Sequence, residues 1–147
     1  YDNGEFLSVE TQYEVTYEDD SVISIMFVNL SYPAGVAHQW TSYDGIVYDK
    51  QTGNRIPLYN YVHIRNAQQL EDGLYSGVLS LHDESGEEIT YDGTNWPVER
   101  VSQDYLLRGG GTIDLLYSPY ELAPFAAGAT SIRFDPEAIN YFNRMNS

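Results

Sequence analysis

The chain has 147 residues, no cysteine, and 7 lysines and arginines against 22 aspartates and glutamates, a formal net charge of −15. That length suits one domain with its own core, while the missing thiols remove disulfides, thiolate metal sites and cysteine nucleophiles. The charge disfavours nucleic acid, whose binding relies on neutralising phosphates with cations, and disfavours anionic membrane surfaces as well. The same field speeds encounter with basic partners, and it also serves plain solubility.

No apolar run approaches the length of a membrane span. The longest, Val22 to Leu30, is interrupted by Ser24 and Asn29, so a soluble piece with no direct membrane insertion is expected. The chain begins at Tyr1 with neither Met nor a signal peptide, which suggests an excised ectodomain or mature fragment of a longer parent.

Residues 2–11 are polar and acidic without a clear period and read as an edge or a frayed lead-in. Tyr13, Val15 and Tyr17 alternate, Glu18-Asp19-Asp20 supplies turn chemistry, and the β-rich run from Val22 to Leu30 completes a hairpin. Pro33 and Gly35 break that pattern in a loop reaching His38, and a strand resumes from Trp40 to Tyr48. The turn Asp49-Lys50-Gln51-Thr52-Gly53 leads to a short arm at Arg55 to Leu58, a second hairpin.

Between Ile64 and Leu81 the spacing of Ala67, Leu70, Leu74, Val78 and Leu81 predicts a helix, opposed by Gly73 and Gly77. The acidic, glycine-bearing stretch from His82 to Gly93 reads as an exposed connection. Tyr105 to Tyr117 folds about Gly109-Gly110-Gly111 as a further hairpin, and Thr130 to Phe134 is a strand. Asp135-Pro136-Glu137 is an N-cap, a first-turn proline and an acid, opening a short helix with Ile139, Phe142 and Met145 as its apolar face. The expected class is α+β: an antiparallel sheet with one longer helix and a short C-terminal helix, in a single domain over residues 1–147.

Nothing in the sequence spells catalysis. His82-Asp83-Glu84 places metal-ligating types together, and Asp83, Ser85 and Glu87 alternate oxygens around Gly86, but the spacing of a calcium loop is not met. A solvated acidic loop explains both. No nucleophile-elbow glycines flank Ser31 or Ser42, the serines that would pair with His38 and Asp44. With 22 acids, accidental carboxylate pairs are guaranteed. Asn29-Leu30-Ser31 matches a glycosylation sequon inside a predicted strand. We expect no cofactor, no metal and no enzymatic activity.

The loops say more. Ser118 to Gly128 holds two prolines, Tyr120, Phe125 and several small residues, a composition that forbids a regular helix or central strand. It is either a crossover plugging the core or a preorganised binding surface, which lowers the ordering cost of association.

The run Ser118-Pro119-Tyr120-Glu121-Leu122-Ala123-Pro124-Phe125-Ala126-Ala127-Gly128, followed by a strand and a capped helix, resembles the C-terminal signature of the RsiV-type anti-sigma factor extracytoplasmic domain family. Tyr13 to Tyr17 with Ser24-Ile25, the Gly35-Val36-Ala37-His38 loop, and Asp49 with Thr52-Gly53 and Leu58 agree in order. The resemblance implies an extracytoplasmic location at a bacterial cell surface and binding of lysozyme, a strongly basic protein. It further implies a membrane-anchored parent that holds a sigma factor through a segment outside this sequence. The expected contact lies on two loops, through Tyr32, Pro33, Gly35 and His38 and through Ser118, Pro119, Tyr120, Pro124 and Phe125. The alternative is a cell-wall or glycan-binding accessory module of a surface protein or peptidoglycan deacetylase, with aromatic faces stacking on sugar rings.

Overall fold

A computed structural model describes residues 6–33 and 40–147, and of residues 6–9, 32, 33, 40 and 125 the backbone alone. The expected α+β class holds, with the strands divided between two antiparallel sheets. The first sheet is β1 (Phe6–Glu18), β2 (Val22–Pro33) and β3 (Trp40–Asp49) in sequence order. The second runs β5 (Glu88–Ile89), β4 (Ser80–His82), β8 (Thr130–Phe134), β7 (Thr112–Tyr117), β6 (Tyr105–Gly109).

The first hairpin forms where the alternation placed it. Asp19 builds its turn by accepting from the backbone N–H groups of Ser21 and Val22. Its first strand is longer than the alternation alone suggested, because residues from Phe6 onward pair with the far end of β2. The second hairpin shrinks to one bridge between Tyr48 and Arg55, since Pro57 ends pairing before a 3-10 turn at Leu58–Asn60.

The first helix, α1, covers Ala67–Ser76, shorter than the apolar spacing predicted. Asn66 caps its start by accepting from Gln69 N–H, and Gly77 ends it at φ 85, a left-handed conformation that favours glycine. The chain then folds back, Leu79 N–H donating to Gly73 C=O. A Cβ on Gly73 would lie 2.7 Å from the Leu79 side chain, so the glycine that weakens the helix permits this return. Leu81 therefore enters β4, and part of the expected connection from His82 to Gly93 pairs as β5.

Helix α2 (Pro136–Met145) is capped as expected, Asp135 accepting from Ala138 N–H. Its buried side is Ala138 and Phe142, with Ile139 half-buried, whereas Met145 is exposed. The predicted apolar face is thus rotated toward the i, i+4 pair.

Alternation along the second sheet sorts two cores. Tyr105, Leu107, Ile113, Leu115, Tyr117, Ile132 and Phe134 pack with Leu70, Ala138 and Phe142 on the helical side. Leu106 and Leu116 face the other way and meet Met26 and Tyr43 of the first sheet. The first sheet crosses the β6 edge, which would otherwise offer unpaired backbone groups. Ser24 Oγ accepts from Leu107 N–H, and Asp104 accepts from Gly45 N–H. The crossing is tight at Gly45, where an added Cβ would stand 2.8 Å from the Tyr105 carbonyl oxygen.

The buried Tyr117 hydroxyl donates to Arg100 C=O and accepts from Ser102 N–H. Burial pushes its pKa up to about 12. Above pH 10 an unfolded phenol ionises while the folded one keeps its proton, so stability present below pH 10 is lost as pH rises toward 12. Tyr117→Phe, which has no phenol to ionise, is expected to be less stable than the parent at pH 8. That gap should narrow by about 1 kcal/mol at pH 11 in urea melts. A gap independent of pH would refute it.

Candidate functional site

The Ser118–Phe125 loop leaves β7 with its anchors inward and its aromatic outward. Leu122 and Ala123 are buried, while Tyr120 is 62% exposed, so Tyr120 is not a core plug. Its backbone sits at φ 71, the sole positive φ of a non-glycine residue among those described. Such a conformation costs on the order of 1–3 kcal/mol and persists only where surroundings enforce it. Here the enforcement is visible. Glu121 takes a two-pronged ion pair from Arg100, Nε to Oε2 at 2.5 Å and Nη2 to Oε1 at 2.7 Å, and also accepts from Ser118 N–H. The carboxylate beside Arg100 raises the guanidinium pKa further. Arg100 lies over the Tyr117 ring, 5.0 Å from its centroid, tying the loop to the core.

Trp96 completes the surface. Its ring stacks near Tyr120, centroids 6.4 Å apart and planes at 28°. The turn before it is closed by Asp92, which accepts from Thr94 and Asn95 and whose carbonyl accepts from Trp96 N–H. Sequence reasoning missed Trp96. The signal was the turn-forming Asp92-Gly93-Thr94-Asn95 immediately before a Trp-Pro pair.

The other expected contact residues divide. Ser118 and Pro124 are exposed and Pro119 is half-buried. Phe125 opens a 3-10 turn, Phe125–Ala127. Tyr32 and Pro33 end β2, paired with Ser8 and Phe6. Gly35 and His38 lie outside the described residues, as does any partnership of His38 with Ser31, Ser42 or Asp44. Asp44 itself accepts from Asn29, whose own oxygen accepts from Thr11, a cross-strand ladder that occupies the sequon asparagine.

The candidate ligand cluster at residues 82–87 is engaged internally. His82 Nδ1 meets Gly86 C=O and Nε2 meets Ser80 Oγ. Asp83 accepts from Ser85 N–H, Ser85 Oγ and Glu87 N–H, which hold its carboxyl below the usual range. Among the described residues no three such side chains converge as metal ligands.

A second feature was invisible in the sequence. A groove of about 570 Å³ lies between the outer face of the second sheet and the first sheet, floored by Asp114, Arg108 and Arg133 and bordered by His82 and Tyr43. Asp114 is fully buried and accepts from both arginines: Arg133 Nε at 2.8 Å and Nη2 at 3.1 Å, and Arg108 Nε at 2.9 Å. The Asp114 hydrogen bonds raise the Arg133 pKa.

Two solved structures share this fold. One is a DUF3298 family protein from Pseudomonas aeruginosa PAO1, with TM-score 0.64 and 15% identity over 90% of this chain and 60% of that one. The other is a member of the same family from Bacteroides fragilis NCTC 9343, with TM-score 0.64 and 14% identity over 99% of this chain and 59% of that one. The chain therefore spans about 60% of the length of each. At these identities the likeness defines the fold. No protein-family model and no curated protein matches the sequence.

Proposed function

We propose that this domain is a binding module rather than an enzyme, the lysozyme-recognising ectodomain of an RsiV-type anti-sigma factor, with Tyr120 as its central contact. The observation that carries this reading is the outward Tyr120 ring, held at positive φ by the Arg100–Glu121 pair and stacked near Trp96. A strained, braced aromatic is an arrangement worth its cost where a partner uses it. Lysozyme-type clefts contain two carboxyl groups. A plug entering one should offer donors, and the hydroxyls of Tyr120 and Ser118 are such donors. The acids that make the net charge −15 would then ring the contact and draw in a basic protein. Occupancy would block the cleft and report lysozyme to the membrane-anchored parent, placing the domain outside the cytoplasm at a bacterial surface.

The Trp96–Tyr120 pair also favours a second reading, a glycan-binding accessory module in which a sugar ring stacks on the exposed aromatic. Calorimetric titration with hen-type lysozyme and with peptidoglycan fragments separates the two. Lysozyme is expected to bind and the fragments not to; the reverse result would overturn the lysozyme reading. Salt provides a further check, because the Debye length falls from about 10 Å at 0.1 M to about 3 Å at 1 M. The on-rate should drop roughly tenfold over that range while the off-rate moves less. An on-rate indifferent to salt would remove electrostatic steering from the proposal.

A further inference from the structure

We infer that the groove beneath the first sheet is a binding site for a single carboxylate, presented by a peptide terminus or an acidic sugar and held by Arg108 and Arg133. Its position is separate from the Tyr120 loop, since none of its lining residues falls within Ser118–Phe125. The inference therefore stands or falls without the lysozyme reading.

Arg133 already forms a two-pronged pair with Asp114, reaching it with both Nε and Nη2. Arg108 adds a second guanidinium through Nε alone. Asp114 offsets one of these two positive charges and Glu88, outside ion-pair distance, also acts on Arg133, so what favours an anion is the unused donors rather than net charge. Among the described residues, neither Arg133 Nη1 nor the two terminal nitrogens of Arg108 hydrogen-bond to a protein acceptor. The two side chains are 33% and 29% exposed and both line the groove. Asp114 holds them side by side and keeps their Nε–H groups from the ligand, leaving terminal N–H donors suited to a planar carboxylate. Strand geometry supports this placement: Arg133 is directly opposite Asp114 across β7 and β8, and Arg108 comes from the neighbouring β6.

Size and surroundings narrow the ligand. The groove volume lies within the range of small-molecule sites, roughly 300–1,000 Å³. Ser131 and Thr112 bring hydroxyls to its wall, and Met26 and Leu116 bring apolar surface. Glu14, Asp83 and Glu84 also line it, although Glu84 is engaged by Tyr43 Oη and Ala129 N–H and Asp83 by its own turn. This acidic border repels doubly charged phosphate more than a monocarboxylate.

The test uses the whole domain, labelled with 15N and titrated with N-acetyl-alanine, N-acetyl-alanine amide, glucuronate, glucose and inorganic phosphate. The arginine side-chain Nε–H signals of Arg108 and Arg133 should shift saturably with at least one carboxylate probe, and not with the amide or glucose. Phosphate should bind at least tenfold more weakly. A response to N-acetyl-alanine assigns the ligand as a peptide terminus, and a response to glucuronate as an acidic sugar. In Arg108→Gln, acid binding should weaken at least tenfold. The inference is overturned if neither acid moves these signals, if acid and amide shift them equally, or if folded Arg108→Gln binds as the parent does. Should that variant not fold, the parent's acid-against-amide comparison decides.

Discussion

Tyr120→Ala is expected to cost at least 30-fold in lysozyme affinity while leaving the cooperative melt within about 1 kcal/mol of the parent. The two halves of this expectation come from different features. Affinity falls because Tyr120 is largely exposed and, on the proposed reading, would enter the partner's cleft. Stability moves little because the residue is largely exposed, and an aromatic contact such as that with Trp96 is worth on the order of 1 kcal/mol. Alanine keeps the strain at φ 71, so Tyr120→Gly is the companion variant. Glycine adopts that conformation without a Cβ penalty. It should lose affinity to the same degree and melt no earlier than the alanine variant. Calorimetry and urea unfolding on the same samples decide the matter. Unchanged affinity, or a melt that collapses together with binding, would remove Tyr120 from the contact.

Asp114→Ala should destabilise the fold by about 3 kcal/mol, near the lower end of what breaking a buried ion pair costs. Asp114 has no solvent exposure, and its removal leaves two guanidinium groups facing each other across β7. Their partial hydration keeps the penalty from the upper end of the range. Asp114→Asn preserves shape and an acceptor but not charge, so it should fall between alanine and the parent. Urea denaturation at neutral pH is the measurement. Equal stability of Asp114→Ala and the parent would mean that the triad contributes nothing to folding.

Local chemistry made much of the fold legible in advance. The hairpin about Asp19, the hairpin about the triple glycine and the capped α2 each depend on residues a few positions apart, within reach of turn and capping rules. All three glycines of the second turn, Gly109, Gly110 and Gly111, sit at positive φ, as a glycine run allows. The apolar spacing predicts too long an α1 because it continues through Gly77 into β4. Period alone does not distinguish a helix face from a helix followed by a strand whose residues fill the same core.

What the amino-acid order determined by itself was the α+β class, the turns, the caps and the absence of thiol chemistry, since each follows from composition or from neighbours along the chain. Tertiary structure alone decided that the strands split into two sheets, with the first crossing the second at Gly45. It alone set Tyr120 near Trp96, 24 positions earlier, and joined Asp114 to Arg108 and Arg133 across three strands. Alternation assigns a residue to one face of its own strand. Which residues of other strands share that face depends on strand order and register, set by the burial of the whole core.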